Sequence, residues 1–108
     1  FYNLESLEIQ MTEIRKIPDF ICEFKKLHKL NLSFNEISSM SKKLFQMDNL
    51  EHLELEENNI RVLPKGIKNL TKLKQLNISS NRIKKIPIEI GMTTLILLAT
   101  DITDKPPF

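Results

Sequence analysis

Residues 50–60 read LEHLELEENNI, and their spacing decides the fold. Leu53-Glu54-Leu55 alternates apolar and polar side chains, the period of a strand with one buried face. The same frame opens at Leu4 (LESLEIQMTEI), Leu27 (LHKLNLSFNEI) and Leu73 (LKQLNISSNRI), each start 23 residues after the last. Register extends past these segments. Ile17-Pro18, Leu63-Pro64 and Ile86-Pro87 share a phase, from which Met40-Ser41 departs. Ile21, Leu44, Ile67 and Ile90 share another, as do Phe1, Phe24, Met47 and Leu70. So many columns in phase identify an internal repeat, and with it a stacked, quasi-one-dimensional molecule.

One strand per repeat, always in the same direction, predicts a parallel sheet that grows by roughly 4.8 Å per unit. Parallel sheets usually have both faces covered; the polar alternates here leave one face to solvent. The remainder of each repeat must return behind the sheet. In the third repeat Ile60, Leu63, Ile67 and Leu70 close a narrow core against the strand leucines. Pro64 and Pro87 lack an N–H and restrict the residue before them, so short 3₁₀ or single-turn helices are expected on the back. The stretch Ser41-Lys42-Lys43-Leu44-Phe45 has no proline and is expected to form a slightly longer helix.

Composition narrows the function classes. The chain has 108 residues, enough for one domain, with 16 leucines and 14 isoleucines beside one alanine and one valine. Sixteen basic and 14 acidic side chains nearly cancel, which excludes the strongly basic footprint of a nucleic-acid binder while leaving room for a local stripe. Two glycines and no tryptophan disfavour phosphate-cradling loops and aromatic stacking platforms. Cys22 stands alone and reads as a buried small hydrophobe. No apolar run approaches the ~18 residues of a membrane span, so no membrane insertion is expected. The chain opens on Phe1 without a basic-then-apolar leader and reads as processed or excised from something longer.

The four segments resemble the leucine-rich repeat family, whose signature is L-x-x-L-x-L-x-x-N-x-L, over about 90 residues. The following L-P-x-x-I-x-x-L half is similar to the subclass found in Ras-binding and cell-polarity scaffolds and in small proteins of pathogenic spirochaetes. The resemblance implies an α/β solenoid. Its form would be a right-handed superhelix with a parallel β-sheet on the concave face and short 3₁₀ or irregular turns on the convex face. Repeats are expected at 4–26, 27–49, 50–72 and 73–94, with a degenerate cap at 95–108. Two departures stand out: Thr12 replaces the turn asparagine, and after Ile90 the pattern loses one residue and decays. The cap is read as strand-like Leu95-Ile96-Leu97-Leu98 followed by a polar stop, Asp101, Thr103, Asp104 and Pro106-Pro107. At the front little precedes Leu4, so Leu7, Ile9 and Ile14 are expected to face outward. A longer parent chain or end-to-end contact with another copy would cover them.

Asn35, Asn58 and Asn81, with Thr12 in the first repeat, are read as scaffold, because an amide offers donors and an acceptor to the turn backbones. Thr12 brings only a hydroxyl, so its turn is expected to be looser. Three solvent-facing columns form the candidate partner-binding surface. They are Ser6, Lys29, His52 and Gln75; Glu8, Asn31, Glu54 and Asn77; and Gln10, Ser33, Glu56 and Ser79. The strand period establishes that this face is polar and open; the family resemblance implies that it binds a protein partner, whose identity stays open. Met11 and Phe34 stand at the rim before the turn, where core packing is the commoner fate.

Beyond the turns, Arg15, Ser38, Arg61 and Lys84 share a phase, as do Lys16, Ser39, Val62 and Lys85. They give basic edges around an acidic third repeat with Glu51, Glu54, Glu56 and Glu57. A patch for an acidic partner and a merely solvated rim fit this pattern equally. His28 and His52 fall in different columns and, with Glu54, supply at most three of the four ligands of a structural zinc site. No nucleophile, base or cofactor motif converges. The triplets Asn31-Leu32-Ser33, Asn69-Leu70-Thr71 and Asn77-Ile78-Ser79 read as incidental rather than as glycan acceptors. A non-enzymatic protein-binding module without cofactor, metal or nucleic acid is therefore expected. The alternatives are a secreted bacterial effector that binds host surface proteins and a structural or regulatory segment of a larger protein.

Overall fold

The computed structural model describes residues 3–92 and 96–99. Five strands, β1 (Ser6–Glu8), β2 (Lys29–Asn31), β3 (His52–Glu54), β4 (Gln75–Asn77) and β5 (Ile96–Leu98), form one parallel sheet in chain order. Leu7, Leu30, Leu53 and Leu76 align across it, 23 residues apart. The fifth strand breaks the step: Leu76 aligns with Leu97, so the last unit is two residues short rather than one. Leu95 to Leu98 are apolar throughout and carry no alternation. Sequence therefore gives no hint of which of them continues the leucine row. Leu95, the polar stop from Asp101 to Pro107, and Phe1 and Tyr2 lie outside the described residues.

Behind the sheet each return carries one five-residue 3₁₀ helix: η1 (Asp19–Glu23), η2 (Lys42–Gln46), η3 (Lys65–Asn69) and η4 (Ile88–Met92). The second is no longer than the others, contrary to expectation. Ser41 adopts φ −65° and ψ 142°, close to the −62° and 136° of Pro18 and the −66° and 152° of Pro64. Its hydroxyl also accepts from the Lys43 N–H at 3.2 Å, so a serine cap reproduces the proline entry. The exits match as well. Phe24, Met47 and Leu70 each donate a backbone N–H to the carbonyl of Ile21, Leu44 or Ile67.

The core lies between sheet and helices. Leu30, Leu53 and Leu76 with Leu32, Leu55 and Ile78 project from the strands and meet Ile21, Leu44 and Ile67 from the back, all essentially inaccessible to solvent. Each such side chain contributes about 1.5–3 kcal/mol through burial. Cys22 joins this core, as expected. Gly66 has a steric role: a Cβ there would lie 2.9 Å from Cδ2 of Phe45, whose ring fills the space above it. At the front, Leu4, Leu7, Ile9 and Ile14 pack on the core but are only partly buried, whereas Leu30, Leu32 and Ile37 one repeat later are sealed.

Candidate functional site

The turn asparagines fix the strand ends that display the open face. Asn58 donates its amide to the carbonyls of Leu55 and Glu56 in its own repeat, at 3.1 and 3.3 Å, and to Leu32 in the preceding one at 3.0 Å. Its Oδ1 accepts from the Ile37 N–H at 3.0 Å. Asn81 repeats the arrangement with Leu55, Ile78, Ser79 and the Ile60 N–H. Each amide thereby staples one repeat to the one before. Asn35 likewise donates to Ile9, Leu32 and Ser33, but its Oδ1 accepts from both the N–H and the hydroxyl of Thr12, at 2.9 Å each.

The residue before each of these turns is left-handed: Met11 and Phe34 at φ 58°, Glu57 and Ser80 at 55°. Such a backbone costs roughly 1–2 kcal/mol for a residue with a Cβ, and the amide bonds offset it. Among the described residues only the first repeat adds a second left-handed residue, Glu13 at φ 63°. Replacing asparagine by Thr12 thus changes the turn itself.

Across the sheet the first column runs Ser6, Lys29, His52 and Gln75, aligned residue against residue, and the second runs Glu8, Asn31, Glu54 and Asn77. Ser6, Glu8 and Lys29 are exposed, and the others in these two columns are half-buried. Gln75 donates to Glu54 at 3.4 Å. A shallow depression of about 300 Å³ lies over the first three strands, lined by Ser6, Glu8, Lys29, Asn31, His52 and Glu54. Its floor is Leu7 and Leu30, and its walls mix carboxylate, ammonium, amide and imidazole. Groups of this kind can exchange hydrogen bonds and charge with a polar ligand; among the described residues that line it, no hydrogen bond joins a nucleophile to a base.

The third column divides. Gln10, Glu56 and Ser79 are half-buried, and Gln10 donates to Glu8. Ser33 is only 4% exposed, and its hydroxyl accepts from the Glu56 N–H at 3.1 Å. Its chemistry is spent joining two turns. Asn31 and Asn77 each turn Oδ1 back onto the N–H two residues on, Ser33 and Ser79 respectively, leaving their amide N–H groups for other partners. One residue of the face was missed from sequence: Ile96, 64% exposed, extends the first column beside Gln75. The strand-like run 95–98 is the signal for it in the sequence, but an unbroken apolar run does not disclose which residue faces out.

Other features fall into place around the face. Met11 and Phe34 lie at the rim in solvent rather than in the core. Arg15, Ser38, Arg61 and Lys84 are exposed; the Ser38 N–H donates to the Arg15 carbonyl at 3.0 Å, and Lys16 and Ser39 form a parallel bridge. Glu51 pairs with Lys74 at 3.3 Å. The Lys74 hydrogen bond and charge hold the Glu51 carboxyl below its ordinary range, with smaller help from His28 and His52. Burial, aided by Asp19, pushes the Cys22 thiol up. Among the described residues no three His, Cys, Asp or Glu gather to hold a metal ion, and no helix is long and apolar enough to cross a membrane.

Comparison with known proteins agrees with this geometry. The sequence pattern described as leucine rich repeat matches residues 25–83. No curated protein matches the chain. Among solved structures, a leucine-rich repeat protein of Leptospira interrogans is similar at 30% identity and a TM-score of 0.76, over 88% of this chain and 25% of that one. An internalin of Listeria monocytogenes is similar at 25% identity and a TM-score of 0.75, over 91% of this chain and 28% of that one. Internalin C2 of Listeria monocytogenes shares the fold, at 19% identity and a TM-score of 0.79, over 92% of this chain and 43% of that one. The chain therefore spans between a quarter and less than half of the length of these proteins.

Proposed function

Because the chain belongs to the leucine-rich repeat family, whose domains generally serve as non-enzymatic protein-interaction scaffolds, we propose that it binds a protein partner through the concave face of its sheet. One observation carries this reading. A parallel sheet, a structure that normally has both faces covered, here keeps one face open and lines it with charged and amide side chains. The strands beneath are joined in register, so the columns are presented on formed backbone and the ordering cost of binding falls on their side chains. Glu8, Lys29, His52, Glu54 and Gln75 supply the central contacts, with Glu56 and Ile96 at the margins.

The test is affinity capture from a lysate of the source organism with the wild-type chain and with a Glu8→Lys, Glu54→Arg double variant. Both substitutions are on the surface, so the melting temperature is expected to stay within roughly 3 °C of wild type. A specific partner should be retained by wild type and lost by the variant. Undiminished capture by a folded variant would count against the sheet face as the binding surface.

A further inference from the structure

At the position just before each turn asparagine, or Thr12, the backbone is left-handed and the side chain reaches solvent. The fold accepts Glu57 and Ser80 there as well as Met11 and Phe34. Packing therefore demands no apolar residue at this position. The first two repeats nonetheless set Met11, 79% exposed, beside Phe34, 45% exposed. Their backbones are locked together: the Met11 N–H donates to the Phe34 carbonyl at 2.8 Å, and the Phe34 N–H to the Glu56 carbonyl at 2.9 Å. Single exposed apolar residues are ordinary, but neighbours joined backbone to backbone form a patch that gains by being covered.

Carboxylates outnumber cations at the turns beside the pair, the exposed Arg15 and Lys16 following beyond Glu13. Glu13 and Glu36, both exposed, lie two residues beyond Met11 and Phe34, and Glu56 and Glu57 occupy the next turn. Resting on the reading that this side of the sheet binds protein, we infer that the Met11–Phe34 rim anchors a polypeptide segment presenting an apolar side chain flanked by lysine or arginine. The partner's apolar group packs on the Phe34 ring and the adaptable Met11 thioether. Its cations face the four carboxylates, which steer the encounter and reject acidic segments. A cation over the face of the Phe34 ring gains further attraction.

The probes are the amidated peptides KKLFKK, EELFEE and KKSSKK, titrated into nitrogen-labelled protein and followed by amide chemical shifts. KKLFKK is expected to give saturable shifts centred on Met11, Phe34 and Glu57, while EELFEE and KKSSKK give none. Phe34→Ser and Glu57→Lys, both at exposed positions, should each weaken KKLFKK about tenfold with the rest of the spectrum unchanged. Shifts confined to Lys29, His52 and Gln75 would overturn the rim as anchor and leave the sheet-face reading standing. Equal binding of EELFEE, no shifts with any peptide, or self-association of the free chain abolished by Phe34→Ser would each overturn the basic-segment partner. The capture experiment above is independent of all three.

Discussion

A single asparagine side chain in each of the second, third and fourth turns does more for this molecule than its polarity suggests. Asn58 satisfies the Leu32 and Leu55 carbonyls and the Ile37 N–H, all at the buried ends of adjacent strands. Truncation to alanine leaves the Ile37 N–H without its partner, at about 1–3 kcal/mol for a buried unsatisfied group, and takes one of two amide bonds from each carbonyl, Leu32 keeping Asn35 and Leu55 keeping Asn81. Asn58→Ala should therefore destabilise by about 3 kcal/mol in urea unfolding, and Thr12→Ala, at an exposed position with a single hydroxyl bond to Asn35, by under about 1 kcal/mol. Equal losses at the two sites would contradict a ladder that strengthens inward from the first repeat. The asparagines were legible in the sequence because their role is fixed by local backbone geometry. Ser33 was not. The strand period carries it to the open face, but the Glu56 backbone of the next repeat closes over its hydroxyl, and no single repeat contains that information.

At the scale of elements, stacking aligns equivalent positions of neighbouring repeats, so a charge finds its counterpart 23 residues away. Glu51, just before β3, meets Lys74, just before β4, while the Lys74 N–H donates to the Glu51 carbonyl at 2.8 Å. The folded carboxyl titrates below its ordinary range, chiefly through the Lys74 hydrogen bond. Its contribution is therefore present at neutral pH and is lost as pH falls through that lowered value. Lys74→Ala should shift the Glu51 titration upward in a carboxyl-carbon NMR experiment, and salt should do the same to wild type because both groups are solvated. An unmoved titration would separate the two residues in solution. Element identity followed from the period of two in the strands and the prolines on the back. The length of η2 did not follow, because Ser41 acts as a cap through a hydroxyl bond that the missing proline conceals. The place of β5 was hidden by an unbroken apolar run.

In the whole molecule, among the described residues, strands and helices pack against those of the neighbouring repeat, so stability adds up from units and the interfaces between them. That makes position along the solenoid an energetic variable even where the residue is the same. Leu53 is fully buried with Leu30 on one side and Leu76 on the other, while Leu7, at the same register, is partly exposed and aligns with Leu30 on one side among the described residues. Leu53→Ala should therefore cost about 3–4 kcal/mol in chemical unfolding, near the middle of the range for buried leucines. Leu7→Ala should cost about half as much, because part of its surface is already in water and the space it leaves is open to solvent rather than sealed. Amide exchange should grade in the same direction, with β1 opening well before β3. Equal costs at Leu7 and Leu53 would show that something covers the first repeat in solution. Met11 lies in that same first repeat, in the turn that carries Thr12, whereas Phe34 stands beside Asn35 and between the first and third turns. A partner that bridges the two would tie the first repeat to the second. Saturation with KKLFKK should accordingly slow exchange in β1 more than in β3, and uniform protection would detach binding at the rim from the stability of the front repeat.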